Sequence, residues 1–314
     1  MDVGLLCCET ECECRAYPDP VLLGDERVLQ NLLRTEERYT PSSSYFECVQ
    51  KDLTPQMRKI VAEWMLEVCV EQQCQEEVFP LAMNYVDRFL SVCSIRKFQL
   101  QLLGTACLLL ASKFREPRAL SAAILVYYTD NSITLDDLWR WELLVLSKLK
   151  WDISAVTPQD FLSHILRRLP IDVAWDTRMI QRHAQTFIAL CARDYKFSMY
   201  TPSMIAAASI AAALHGLDWT GKSGCSLSEL LNRLHRITAI ERDYLQGCLD
   251  QIEEMVASTM QSRSSTSPSS GNGNSGNTTH GGRASEHSTA SGAPDKLHEH
   301  GKAGTPTDVR DIHF

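Results

Sequence analysis

The run Leu103-Gly-Thr-Ala-Cys-Leu-Leu-Leu-Ala-Ser-Lys-Phe114 constrains this chain more than any other stretch. Gly104, Ala106, Ala111 and Ser112 lack the bulk to cover a helix, while Leu102, Leu103 and Leu108 to Leu110 leave no polar face wide enough for solvent. A helix here must be enclosed by other helices, as a central post. Small side chains let those neighbours come close, and Lys113 at its end must reach either solvent or a partner's carboxylate.

A second post, Ser203-Met-Ile-Ala-Ala-Ala-Ser-Ile-Ala-Ala-Ala-Leu214, lies about one hundred residues further on, a period that signals a tandem duplication. The flanking patterns repeat with it. Thr54-Pro55 is an N-cap followed by proline at the first helical position. After it Met57, Ile60, Val61, Trp64 and Val68 recur at helical spacing, with Arg58, Lys59, Glu63 and Glu67 interleaved as the polar side. Further helical periods cover residues 76–91, 97–115, 121–128 and 135–149. Thr157-Pro158 then repeats the start, and periods follow at 159–168, 177–193, 202–214, 227–234 and 239–255. Strand signals are weak throughout, so the fold class is all-α, two tandem five-helix domains.

An amphipathic helix from Asp25, carrying Val28, Leu29, Leu32 and Leu33 on one side, precedes the first domain and breaks at Tyr39-Thr-Pro-Ser-Ser-Ser-Tyr45. The expected division is an extended leader over 1–24, a first domain with its preceding helix over 25–151, a second over 152–257 and a disordered tail over 258–314. The tail is Ser, Gly, Asn, Thr and His with almost nothing to bury.

A net charge of -8 argues against a protein that grips nucleic-acid backbone. No apolar run reaches the roughly 18 residues that cross a bilayer, and Asp2 and Glu9 stand where a signal peptide would be basic and then apolar. A soluble, intracellular chain with no membrane or direct nucleic-acid partner is expected. Of the twelve cysteines, Cys69, Cys93, Cys107 and Cys191 sit in apolar helical patterns as small core residues. Cys7, Cys8, Cys12 and Cys14 lack the paired spacing of a zinc site, so no metal or cofactor is expected. There is no glycine-rich phosphate cradle, no His-Glu-x-x-His and no nucleophile elbow, and His183 and His215 lie in apolar helical contexts. The chain is expected to act by binding, not catalysis.

Several motifs carry a family resemblance. Met57-Arg-Lys-Ile-Val61 with Trp64 resembles the hydrophobic-patch motif of cyclins, Asn84-Tyr-Val-Asp-Arg-Phe-Leu90 their second-helix signature, and Ala111-Ser-Lys-Phe114 the end of their central helix. Leu5-x-Cys-x-Glu9, Lys148-Leu-Lys-Trp151 and Thr305-Pro-Thr-Asp-Val-Arg-Asp311 are similar to segments of the vertebrate D-type cyclins. Leu5-Leu-Cys-Cys-Glu9 and the closing Ile-His-Phe lean toward the third member of that branch. The loop Arg115-Glu-Pro-Arg-Ala-Leu-Ser121 departs from it, with its proline two places early.

The resemblance implies two cyclin boxes and a regulatory subunit for cyclin-dependent kinases four and six, in nucleus and cytoplasm. Lys113 and Glu142 would grip the kinase. Met57, Arg58, Ile60, Val61, Trp64 and Glu67 would form a docking patch for arginine-leucine peptides, Glu67 pairing the guanidinium. Leu5, Cys7 and Glu9 would recruit retinoblastoma-type pocket proteins. Thr305 would be the phosphorylation switch for nuclear export and for destruction through a ubiquitin ligase. Inhibitors of the Cip/Kip kind are further possible partners. Two other readings compete: a cyclin-fold transcription factor holding DNA, and a helical adaptor without a kinase. Charge and cysteine spacing disfavour the first.

Overall fold

The computed structural model describes residues 17–171 and 175–264, and among them there are fourteen α-helices and no strand. α1 (Pro20–Gly24) and α2 (Glu26–Thr35) lead into a 3₁₀ turn (Glu36–Tyr39) and α3 (Tyr45–Cys48). The first repeat comprises α4 (Pro55–Glu71), α5 (Val78–Leu90), α6 (Leu100–Arg115), α7 (Ala122–Tyr128) and α8 (Leu135–Lys148). The second comprises α9 (Pro158–Arg168), α10 (Thr177–Arg193), α11 (Pro202–Gly216), the short α12 (Trp219–Ser223), α13 (Leu227–Thr238) and α14 (Arg242–Ser264).

The posts are α6 and α11. α6 is buried from Leu103 to Ser112 and packs against α4, α5, α7 and α8; α11 is buried from Ala206 to Leu214 and packs against α9, α10, α12 and α13. The small residues permit this. A Cβ on Gly104 would stand 3.0 Å from both Met65 Sδ and Val61 Cγ1, so α4 lies on α6 at a distance that only glycine allows without a shift.

Local chemistry sets the helix starts. Thr54 Oγ1 accepts from Met57 N at 3.3 Å, ahead of Pro55. Thr157 and Asp160 form a capping box ahead of Pro158, and Thr201 caps α11 ahead of Pro202, a third Thr-Pro start. Two boundaries and one added helix differ from the sequence expectation. The leader over 1–24 contains α1, because Asp19 Oδ1 accepts from Val21 N at 2.8 Å and Pro20 takes the first helical position. The second repeat has the additional α12, which starts at the left-handed Asp218. The last helix runs through Ser264, past the expected boundary at 257, since no proline or glycine interrupts 248–264.

α13 ends on Ala239, whose φ is 59° while its N–H donates to His235 O. A left-handed alanine is strained by its Cβ. Ala239→Gly is expected to stabilise by about 0.5–1 kcal/mol after the added unfolded-state freedom, a melting rise of roughly 1–4 °C by calorimetry.

The two repeats are joined by polar contacts at helix ends. Glu36 is buried, and its carboxylate accepts from Ser203 N and Ser203 Oγ, both at 2.7 Å, at the start of α11. Burial raises its pKa, while the two hydrogen bonds and the positive end of the α11 dipole favour the anion. Arg58 forms a fork on Asp87, Nε to Oδ1 and Nη2 to Oδ2 at 2.7 Å each, and Tyr45 OH donates to Asp87 Oδ1 at 2.9 Å. The same guanidinium donates to Ala192 O and Arg193 O, the last carbonyls of α10, at 3.0 Å each. Burial works against the Arg58 charge, yet Asp87 holds its pKa above the ordinary value; burial, then Asp87, pushes the Tyr45 phenol up. Asp87 belongs to the Asn84–Leu90 signature, whose other polar residues also make ties. Asn84 Nδ2 donates to Tyr39 O at 2.9 Å, and Arg88 Nη2 to Asp152 O at 2.9 Å.

Candidate functional site

α6 and α8 bring Lys113 and Glu142 together: Lys113 Nζ donates to Glu142 Oε1 at 2.6 Å. Lys113 is the outer partner, with its side chain 49% exposed against 16% for Glu142. The pair stands in an apolar surface. Along α8, Leu135, Trp139 and Leu143 face solvent at i, i+4 and i+8, the last two 53% and 60% exposed, and Phe114 and Tyr127 are exposed nearby in sequence on α6 and α7. These residues were not singled out from the sequence, although a signal was present. α8 also buries Leu138, Val145 and Leu146, so it carries apolar residues on more sides than one core can cover.

The expected docking patch is only partly at the surface. Arg58 is buried on Asp87 and so is neither part of a polar face nor available to a peptide. Val61 and Trp64 are also buried, because α4 lies so close to α6 at Gly104 and because Trp64 Nε1 donates to Tyr128 O at 3.2 Å across to α7. Met57 and Ile60 are half-buried and Glu67 is exposed, and these three hold what surface the motif has.

Lys148-Leu-Lys-Trp151 is a helix terminator. Lys150 and Trp151 are both left-handed, and Trp151 N donates to Leu146 O at 2.8 Å. The loop after Arg115 is tied on both sides: Gln75 N donates to Glu116 Oε1 at 2.5 Å and Leu120 N to Ser112 Oγ at 3.1 Å. His164, not singled out from the sequence, is buried, and burial followed by Arg168 lowers its pKa. Leu5, Cys7, Glu9, the cluster of Cys7, Cys8, Cys12 and Cys14, and Thr305 lie outside the described residues. Among the described residues no group of three or more His, Cys, Asp or Glu side chains is placed to hold a metal ion, and no helix is long and apolar enough to cross a membrane.

The N-terminal cyclin domain model matches residues 27–154 and the C-terminal cyclin domain model residues 156–270. The G1/S-specific cyclin-D2 of Xenopus laevis is 50% identical over 312 residues, 99% of both chains. The human G1/S-specific cyclin-D3 is 55% identical over 266 residues, 84% of this chain and 90% of its own. The chain belongs to the D-type cyclins. Its expected two-box, all-α fold is shown, and a viral cyclin from herpesvirus saimiri shares it, with a TM-score of 0.65 at 25% identity over 74% of this chain and 97% of its own. Within this cyclin the boxes are α4–α8 and α9–α14. As a family, cyclins are regulatory subunits of cyclin-dependent kinases, and the D-type branch is G1/S-specific.

Proposed function

We propose that this D-type cyclin binds and activates a cyclin-dependent kinase of the four/six class through the face around Lys113 and Glu142. The observation that carries the reading is the half-exposed ion pair beside the outward stripe Leu135, Trp139 and Leu143. A surface of large apolar residues around a charged pair suits a protein partner, since aromatic anchors supply binding energy and the charges supply register. A DNA-holding role has no comparable support in a chain of net charge -8. Purification of the tagged full-length chain from cells, with identification of the bound chains by mass spectrometry, tests the reading. Recovery of a kinase of this class supports it; recovery of the chain without any kinase overturns it.

In the same reading, Leu5, Cys7 and Glu9 recruit retinoblastoma-type pocket proteins, and phosphorylated Thr305 controls export from the nucleus and delivery to a ubiquitin ligase. Cip/Kip-type inhibitors would use the α4 surface that docks substrates. That surface is Met57, Ile60 and Glu67, and its test must spare the buried Trp64, whose removal would empty the core. Met57→Ala with Ile60→Ala is expected to lower the rate on an arginine-leucine substrate about tenfold, roughly 1.4 kcal/mol, at unchanged rate on a peptide lacking that motif. Equal loss on both peptides, or loss on neither, would exclude docking there.

A further inference from the structure

The end of α4 places two cysteines side by side. Glu71 is the last helical residue, Gln72 the cap, and Gln73 is left-handed with φ 52°. Gln73 N donates to Val70 O at 3.2 Å and Cys74 N to Cys69 O at 2.9 Å. Those two bonds define the helix-ending turn in which the side chains three residues before the cap and two after it meet, a contact ordinarily made by apolar residues. Here both are cysteines. Both cysteines are free, Cys69 buried and Cys74 half-buried.

Their surroundings admit a small reagent. A cleft of about 540 Å³ lies between Leu66, Cys69, Cys74 and Phe79 on one side and Gln185 and Ala189 of α10 on the other. The hydrogen bond from the Cys69 thiol holds the Cys74 pKa below its ordinary value, outweighing burial and the Glu116 carboxylate, while the same bond and deeper burial push Cys69 up. Both cysteines line the cleft, and Cys74, the more exposed of the two, is the one whose thiolate is favoured, with the buried Cys69 next to it in the turn. Cys48, by contrast, is an exposed free cysteine whose Sγ lies 3.7 Å from Ser44 Oγ.

We infer that Cys69 and Cys74 form a peroxide-oxidised dithiol, with Cys74 the attacking and Cys69 the resolving residue. The Cys74 thiolate attacks one oxygen of a hydroperoxide; the O–O bond breaks, and the departing oxygen is protonated to water or an alcohol. Cys74 is now the sulfenic acid, oxidised by two electrons. Cys69 sulfur, losing its proton, attacks Cys74 sulfur, the S–O bond breaks and a second oxygen leaves as water. The product is an intramolecular disulfide across the helix end, and a small thiol reverses it by exchange.

Trypsin releases residues 60–88 as one peptide containing Cys69 and Cys74 and no other cysteine. The reduced full-length protein is exposed to hydrogen peroxide, blocked with iodoacetamide, digested and weighed. The expected peptide is unalkylated and lighter by two hydrogens, regains both thiols with dithiothreitol, and forms about tenfold faster than Cys48 is oxidised in the same sample. In Cys69→Ala, Cys74 is expected to accumulate as a dimedone-reactive sulfenic acid. In the wild-type protein, a peptide whose fragment ions place two or three added oxygens on Cys74, apart from any on Met65 and Met83, with Cys69 alkylated, overturns the proposal. So does a pair oxidised no faster than Cys48. Both of these readings are made on the unaltered chain and do not depend on how either variant folds.

Discussion

Lys113→Glu is expected to reduce kinase binding by more than about a hundredfold while circular dichroism and the melting curve stay close to the original. A half-exposed ion pair contributes only about 0–1 kcal/mol to folding, so its loss, and the mild repulsion of two carboxylates, leave the fold standing. At an interface the same reversal places a like or unpaired charge in a desolvated site, at a cost of about 2–5 kcal/mol. The exchange Lys113→Glu with Glu142→Lys separates the two roles. It restores the pair within the cyclin but presents the opposite charges to a partner. Continued loss of kinase in the exchanged protein, measured by titration, places Lys113 and Glu142 in the interface. Full recovery would mean that the pair only braces α6 against α8.

Arg58→Ala is expected to destabilise the folded unit by about 3–5 kcal/mol, a melting decrease of roughly 6–20 °C. The large effect comes from what is left behind. Asp87 would remain buried with Tyr45 OH as its remaining neighbour, and the carbonyls of Ala192 and Arg193 would lose their donor. Arg58→Met combined with Asp87→Leu removes both charges and is expected to cost less than the single change. Urea unfolding of the three proteins checks this; equal cost in the single and double variants would show that the fork contributes little beyond its shape.

Apolar and small-residue spacing made the helices and the duplication legible in the sequence. Thr54-Pro55 and Thr157-Pro158 marked starts that the structure places within a residue. Polar residues were harder to place, because periodicity assigns a face and not a partner. Arg58 sits beside the polar Lys59 in the chain and reads as solvated, yet its partner Asp87 is 29 residues away and its carbonyl acceptors more than 130. α1 was hidden for the reverse reason: its helix depends on the single Asp19 cap between Pro18 and Pro20, and two prolines in three residues favour extended backbone until the cap is seen. At the candidate site Lys113 and Glu142 were legible only through family motifs. Trp139 and Leu143 could have been found by asking why α8 has too many apolar sides, a question that needs the helix's neighbours to answer.

The Glu36 contact also dictates an order of events during synthesis. α1 and α2 pack on α9, and Glu36 waits for Ser203, which follows it by 167 residues. At roughly 5–20 residues per second, the amphipathic α2 leaves the ribosome about 10–30 s before its last partner exists. The first box can close on its own post in that interval, but the N-terminal helices cannot seat. The earliest part of the chain to be made is therefore among the last to lock, and the strip of Leu29, Leu32 and Leu33 is what a chaperone would meet on the nascent protein.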